Sequence, residues 1–191
     1  MLRCPKIFVA AAAGLFVTIA PASAQGLFGS FELPKTANDG RPLAVAIPRE
    51  TIAYNGPYSP GTIIISTSER RMYYVLPDRQ AMKYGVGVGR PGFEWSGTKF
   101  ISQKREWPDW TPPSQMLQRR PDLPRHMAGG IANPLGARAM YLGSSLYRIH
   151  GSNEPDTIGQ AVSSGCIRMT NEDVTDLYSR AKIGTKVVVI R

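Results

Sequence analysis

Reactive side chains are scarce in this chain of 191 residues, which has only two cysteines and two histidines. One cysteine, Cys4, sits near the N-terminus, so Cys166 has no partner for a disulfide in the rest of the chain. A lone cysteine and the separated His126 and His150 lack the ligand spacing of a zinc site. Neither a metal nor a cofactor is therefore expected. Apolar runs long enough to span a bilayer are missing after the N-terminal stretch, and no stable membrane insertion is expected. Blocks of like charge are missing too. The 23 Lys and Arg residues outnumber 14 Asp and Glu, giving +9, but they are scattered, which argues against nucleic acid as a partner. There is no βαβ rhythm and no internal repeat.

What is present begins with a secretion signal. Residues 1–24 read as a signal peptide: Arg3 and Lys6 precede an apolar run from Ile7 to Ile19, and Ala22-Ser23-Ala24 offers the small residues of a cleavage site. Cys4 lies ahead of the apolar run, so it is not positioned for acylation at the cleavage point. Cleavage leaves about 167 residues, enough for one domain with a sizeable core. Losing Arg3 and Lys6 lowers the formal charge from +9 to +7. A basic protein exported to the periplasm or cell envelope has polyanions for neighbours, and its charge serves either solubility or their binding. An unpaired cysteine there is exposed to oxidation, so Cys166 is either buried and inert or has a chemical task.

Residues 25–60 carry five prolines and the turn signals Asn38-Asp39-Gly40 and Asn55-Gly56. They read as an extended lead-in that could donate a strand near Leu43 to Ile47. From Gly61 the pattern becomes β-rich, with strands expected at Thr62–Ser66, Arg71–Leu76, Lys83–Val88, Thr98–Gln103, Ala137–Leu142, Leu146–His150 and Thr185–Ile190. Prolines 108, 112, 113, 121 and 124 are expected to exclude regular structure from 107–124. This stretch is either a wall or lid over a groove or a loop held to the core by Trp107 and Trp110. One helix is expected after the cysteine. Thr170 and Asp173 resemble a capping box, Val174, Leu177, Tyr178 and Ala181 form an apolar stripe, and Gly184 is expected to end it. The fold class is mainly β, with one main helix.

A thiol near pKa 8.5 needs a base to act as a nucleophile at neutral pH. His150 closes a strand 16 residues before Cys166, on the face opposite Ile149, and is the better candidate for proton donor and acceptor. His126 borders the proline-rich loop, where it meets solvent or substrate. Gly165 permits a sharp turn before Cys166, and the N–H groups of Gly165 and Cys166 could form an oxyanion hole. In an extended chain Arg168 shares a face with Cys166, where it could favour a thiolate, grip a carboxylate, or form an internal ion pair. Arg168, Tyr147, Trp107 and Trp110 are candidate substrate-binding residues.

Tyr147-Arg148-Ile149-His150-Gly151-Ser152-Asn153, Ile158-Gly159 and Ser163-Ser164-Gly165-Cys166-Ile167-Arg168-Met169, in that order, resemble the L,D-transpeptidase catalytic domain, or YkuD domain. The likeness extends to Asn133-Pro134-Leu135-Gly136 and to Trp-Pro-Asp-Trp-Thr-Pro-Pro at 107–113, and so covers 61–191. It implies a β-rich L,D-transpeptidase-like sandwich with Cys166 as nucleophile, His150 as proton carrier and a backbone carbonyl at Gly151 orienting the imidazole. The implied substrate is a peptidoglycan peptide stem. The thiol would attack the L-centre carbonyl of its third residue, diaminopimelate, and D-alanine would leave. An amine would then resolve the thioester, giving a 3–3 cross-link when it belongs to another stem. A lipoprotein lysine, a free D-amino acid or water are the other acceptors the family uses. Acylation of Cys166 by carbapenem-type β-lactams is also implied. Many members have histidine where Ser164 stands and threonine where Ser152 stands. A cysteine L,D-carboxypeptidase or amidase and a non-catalytic wall-binding protein are the competing readings.

Overall fold

A computed structural model describes residues 47–191. The segment 1–24 expected to be a signal peptide and most of the lead-in, including 43–46 of the strand expected near Leu43–Ile47, lie outside the described residues. Within the remaining lead-in the chain does form a strand, β1 (Glu50–Ala53), upstream of the expected domain start at Gly61. Arg49 anchors this approach, its guanidinium 3.5 Å from Asp173 Oδ1.

The β-branched run expected near residue 62 forms β2 (Ile63–Ser66), all four residues of which are buried. Strands β3 (Arg71–Leu76) and β4 (Gln80–Gly85) follow as a hairpin, and β1 pairs with the outer edge of β4. The strand expected over Lys83–Val88 is divided: β4 stops at Gly85, and a separate two-residue strand, β5 (Val88–Gly89), forms a different pairing. Next comes β6 (Gly97–Glu106), longer than expected. Its first residues pair with the C-terminal strand and its last with β7 (Arg138–Leu142), with a register shift between Ile101 and Gln103. An extra residue at such a point bends a strand, so β6 serves as the joint between the two parts of the sheet.

Beyond β7 lie β8 (Arg148–His150), a single 3₁₀ turn at Pro155–Thr157, β9 (Ala161–Ser163) and β10 (Ile167–Arg168). β11 is Lys186–Ile190. Nine strands form one sheet in the order β1-β4-β3-β2-β11-β6-β7-β8-β10, while β5 and β9 pair separately. Pairs β2–β11, β8–β10 and β5–β9 are parallel. Ile63, Ile65, Met72 and Tyr84 from one part of the sheet meet Met140, Leu142, Ile149 and Ile167 from the other in one core. Full burial of each such aliphatic side chain contributes roughly 1.5–3 kcal/mol.

Two helices are present among the described residues. Between Pro113 and Pro121 the chain forms α1 (Ser114–Arg119), where no regular structure was expected. The prolines bracket this helix without interrupting it: a proline is tolerated at a helix start, and the residue before the next proline is pushed out of helical geometry. The main helix, α2 (Asn171–Arg180), starts as expected, with Thr170 Oγ1 accepting from Asp173 N at 3.1 Å. Val174, Leu177 and Ala181 enter the core and Tyr178 packs at its margin. The helix ends at Arg180, and Gly184, with φ +88°, belongs to the turn before β11 and not to the helix end.

Candidate active site

Placement of the two candidate catalytic side chains follows from one strand pair. β8 and β10 run parallel, with Ile149 opposite Ile167 and His150 opposite Arg168. Side chains alternate across a sheet. Ile149 and Ile167 therefore enter the core, while Arg148, His150, Cys166 and Arg168 all line a groove on the other face. The groove encloses about 870 Å³.

His150 is 4% exposed, and its Nδ1 lies 2.6 Å from Gly151 O. A carbonyl only accepts, so Nδ1 carries the proton and Nε2 keeps its lone pair. This is the contact implied for Gly151. Burial, then the charge of Arg168 and Arg148, pushes the imidazole down to about 3, with the Gly151 carbonyl acting in the opposite direction. The ring is thus neutral at physiological pH.

The turn carrying Cys166 is held by side-chain hydrogen bonds to its backbone. Ser163 Oγ accepts from Gly165 N at 3.1 Å and donates to Cys166 O at 2.6 Å. Trp95 Nε1 donates to Gly165 O at 2.8 Å. Gly165 has φ +101°, a conformation that favours glycine, and a Cβ there would meet Tyr147 Cε1 at 2.5 Å. The Gly165 N–H, expected to point at an oxyanion, is therefore taken by Ser163, because the tight turn brings that hydroxyl beneath it. Cys166 N–H has no hydrogen-bond partner among the described residues and remains as a donor.

The thiol itself rests against Leu146 O at 3.6 Å and does not hydrogen-bond the imidazole. Arg148 Nη1 donates to the same carbonyl at 3.0 Å, while Arg148 Nε is buried without a partner. Arg168 forms the internal ion pair, with Nη1 2.8 Å from Glu154 Oε2, although its side chain still lines the groove.

Two candidate substrate-binding residues lie elsewhere. Tyr147 stacks on Trp95, with ring centroids 4.6 Å apart and planes 5° from parallel, and supports the Gly165 turn from behind. Alternation along β8 sends it to the face opposite His150. Trp107 is 43% exposed and does not line the groove. Trp110 does line it, and its backbone N–H and C=O pair with those of Met127, each at 2.8 Å. The 107–124 stretch is a groove wall, contributing Pro113, Met116, Arg119 and Leu123. Asn133 holds its base: Nδ2 faces Pro108 O, Met127 O and Ala128 O, and Oδ1 accepts from Leu135 N. His126 sits on the exposed side of this loop, 3.6 Å from Asp109.

Sequence reading missed Arg90, Phe93 and Arg119 in the groove, and Asn171 beneath it. Asn171 Oδ1 accepts from Ala137 N at 2.8 Å and Ser152 N at 3.3 Å, occupying space left by the absent side chains of Gly136 and Gly151. The Gly89-Arg90-Pro91-Gly92 turn was the available signal for Arg90. Ser164, unassigned from sequence, accepts from Arg90 Nη1 at 3.3 Å.

Comparison with known proteins identifies the family. The family model for the L,D-transpeptidase catalytic domain, YkuD, matches residues 60–189. The chain is 36% identical over 137 residues to the probable L,D-transpeptidase ErfK/SrfK of Escherichia coli, covering 67% of this chain and 43% of that protein. It is 33% identical to the putative L,D-transpeptidase YkuD of Bacillus subtilis, covering 78% of this chain and 75% of that one. The chain thus spans a little under half the length of the E. coli relatives it matches. The catalytic domain of the Enterococcus faecium L,D-transpeptidase shares the fold, with TM-score 0.54 at 19% identity, over 71% of this chain and all of that one. A Brucella melitensis structure described as a probable carnitine operon oxidoreductase is 46% identical, with TM-score 0.50, over 75% of this chain and 93% of that one. That description differs from those of the family model and the curated relatives, which agree with one another. By the extent of the family match and the order of its motifs, the chain belongs to the L,D-transpeptidase catalytic domain family.

Proposed function

We propose that the protein is an exported peptidoglycan L,D-transpeptidase working through Cys166. The observation that carries this reading is the arrangement of His150 on β8 and Cys166 immediately before its parallel neighbour β10, in a groove lined by five arginines and one glutamate. Such a groove suits a peptide bearing several carboxylates. In the first half-reaction the thiol gives its proton to His150 Nε2, and sulfur attacks the L-centre carbonyl of diaminopimelate. The Cys166 N–H faces the developing oxyanion. Collapse breaks the C–N bond, His150 returns the proton to the leaving amine, and D-alanine departs from a thioester. An amine of a second stem then attacks the thioester, the C–S bond breaks, and the proton passes through His150 back to sulfur. The product is a 3–3 cross-link. Burial disfavours the imidazolium, and so do Arg168 and Arg148. A substrate carboxylate arriving beside them offsets their field and eases the first proton transfer.

Incubation of the mature protein with purified tetrapeptide stems, read by mass spectrometry, tests this. Cross-linked dimers and released D-alanine are expected, and Cys166→Ala should yield neither. Tripeptides alone indicate transfer to water, and wild-type-like products from Cys166→Ala refute the nucleophile.

A further inference from the structure

Three of the five groove arginines already have something to hold them. Arg168 is paired with Glu154, Arg120 with Asp122 at 2.6 Å, and Arg148 is fixed on Leu146 O. Arg90 and Arg119 differ, since neither forms an ion pair among the described residues. Yet both are held at the same place. The Arg90 guanidinium carbon lies 4.2 Å from the centroid of the Phe93 ring and that of Arg119 lies 5.3 Å from it. Arg90 comes from the segment after β5, and Arg119 is the last residue of α1 in the groove wall. Two cations gathered on one ring repel one another. The ring offsets part of that cost, and an anion reached by both guanidinium groups would offset more of it.

Chain direction shows which part of a substrate this pair meets. The chain passes from Ser164 through the Gly165 turn and Cys166 into β10, where Arg168 is level with His150. Arg90 is hydrogen-bonded to Ser164, on the side of Cys166 away from His150. The leaving amine must lie on the His150 side to receive its proton. The acyl half that stays on sulfur therefore extends towards Ser164, Arg90 and Arg119.

We propose that Arg90 and Arg119, stacked on Phe93, form a subsite for a carboxylate on the acyl half of the donor peptide. The assignment rests on Cys166 being the nucleophile and His150 the proton carrier. In a stem peptide two carboxylates qualify: the one at the D-centre of diaminopimelate and the α-carboxylate of a γ-linked D-glutamate. Both present the same planar acceptor to a guanidinium fork. Ser164 receives a part here as well, since its hydroxyl orients Arg90 from beside the nucleophile.

The test measures binding without requiring turnover. Three tetrapeptides are titrated calorimetrically into the Cys166→Ala protein: the free acid, one amidated at the diaminopimelate D-centre, and one amidated at D-glutamate. One of the two amidations should weaken binding by about tenfold or more, as expected for a lost charge-assisted contact, and which one identifies the carboxylate. Adding Arg90→Gln should weaken the free acid by a similar factor and remove the effect of that amidation. Arg119→Gln should do the same to a smaller extent, because Arg119 is exposed. Lys182→Gln, in the turn after α2, serves as a control for overall charge, and thermal melting confirms folding of each variant. The subsite is overturned if Arg90→Gln and Arg119→Gln bind the free acid within twofold of their parent, or if the amidation effect persists in them. It is equally overturned if Lys182→Gln matches their loss, or if no peptide binds. Turnover by the wild-type protein is scored separately. Normal cross-linking without carboxylate discrimination refutes the subsite alone. Discrimination without any cross-linking refutes the transpeptidase reading alone.

Discussion

His150 makes acid stability a direct test of the site. In the folded protein its imidazole is buried and pushed down to about 3 by that burial and by Arg168 and Arg148. In the unfolded chain the same group titrates near ~6.5. The folded value is the lower one, so protonation favours the unfolded state. The stability tied to a neutral His150 is complete above about pH 6.5 and is lost progressively as the pH falls towards about 3. At ~1.4 kcal/mol per pH unit the whole difference is roughly 5 kcal/mol. Between pH 7 and pH 5 the unfolded chain takes up about 0.7 of a proton that the folded protein refuses, and the stability lost over this range is about 2 kcal/mol. Urea denaturation of the wild type and of His150→Gln at both pH values isolates this contribution, because other titrating groups are common to the two proteins. The wild type should lose about 2 kcal/mol more than the variant on going to pH 5. Equal losses would refute the account of His150 as a buried neutral base.

Further tests address the frame around the two groups proposed to be catalytic. Asn171→Ala leaves the Ala137 and Ser152 N–H groups without an acceptor and should cost roughly 2–4 kcal/mol in chemical denaturation, whereas Asn171→Asp should stay close to wild type. A loss below about 1 kcal/mol for the alanine variant counts against the role assigned to that side chain. Gly165→Ala forces a Cβ into the φ +101° turn against Tyr147. It should slow alkylation of Cys166 by a small electrophile or a carbapenem by about tenfold or more, from roughly 1–3 kcal/mol of strain at the nucleophile turn. Tyr147→Phe, which keeps the stack on Trp95, should alkylate at the wild-type rate; unchanged reactivity in Gly165→Ala would show that the turn does not set the thiol.

Much of the fold was legible where local rules apply. Alternation and β-branched runs located β3 residue for residue, and the Thr170 cap with its apolar stripe located the start and buried face of α2. Less visible were elements whose existence depends on a distant partner. β9 and β10 are two or three residues long, and only their parallel neighbours β5 and β8 make them strands. The short helix α1 is not visible in proline density, because the spacing between prolines is the deciding quantity. At the site, Cys166 and His150 were identifiable from scarcity and motif order, and Gly151 from the resemblance. Ser163, Trp95, Arg90 and Asn171 were not, because each acts through a contact that sequence separation hides.

The sequence by itself determined which atoms are available for chemistry: one thiol outside the N-terminal segment, two imidazoles, and a glycine before the thiol where a side chain would obstruct the turn. It also determined the family, since that rests on motif order. Tertiary structure decided how those atoms are aimed. Only the β8–β10 register places His150 and Cys166 on one face, and only packing removes Trp107 from the groove and brings in Arg90 and Arg119. Only the folded turn shows that Ser163 occupies the Gly165 N–H and that the thiol rests on Leu146. The physical reason is that residue type sets what a group can donate or accept, whereas direction, desolvation and field arise from neighbours that the chain meets only on folding.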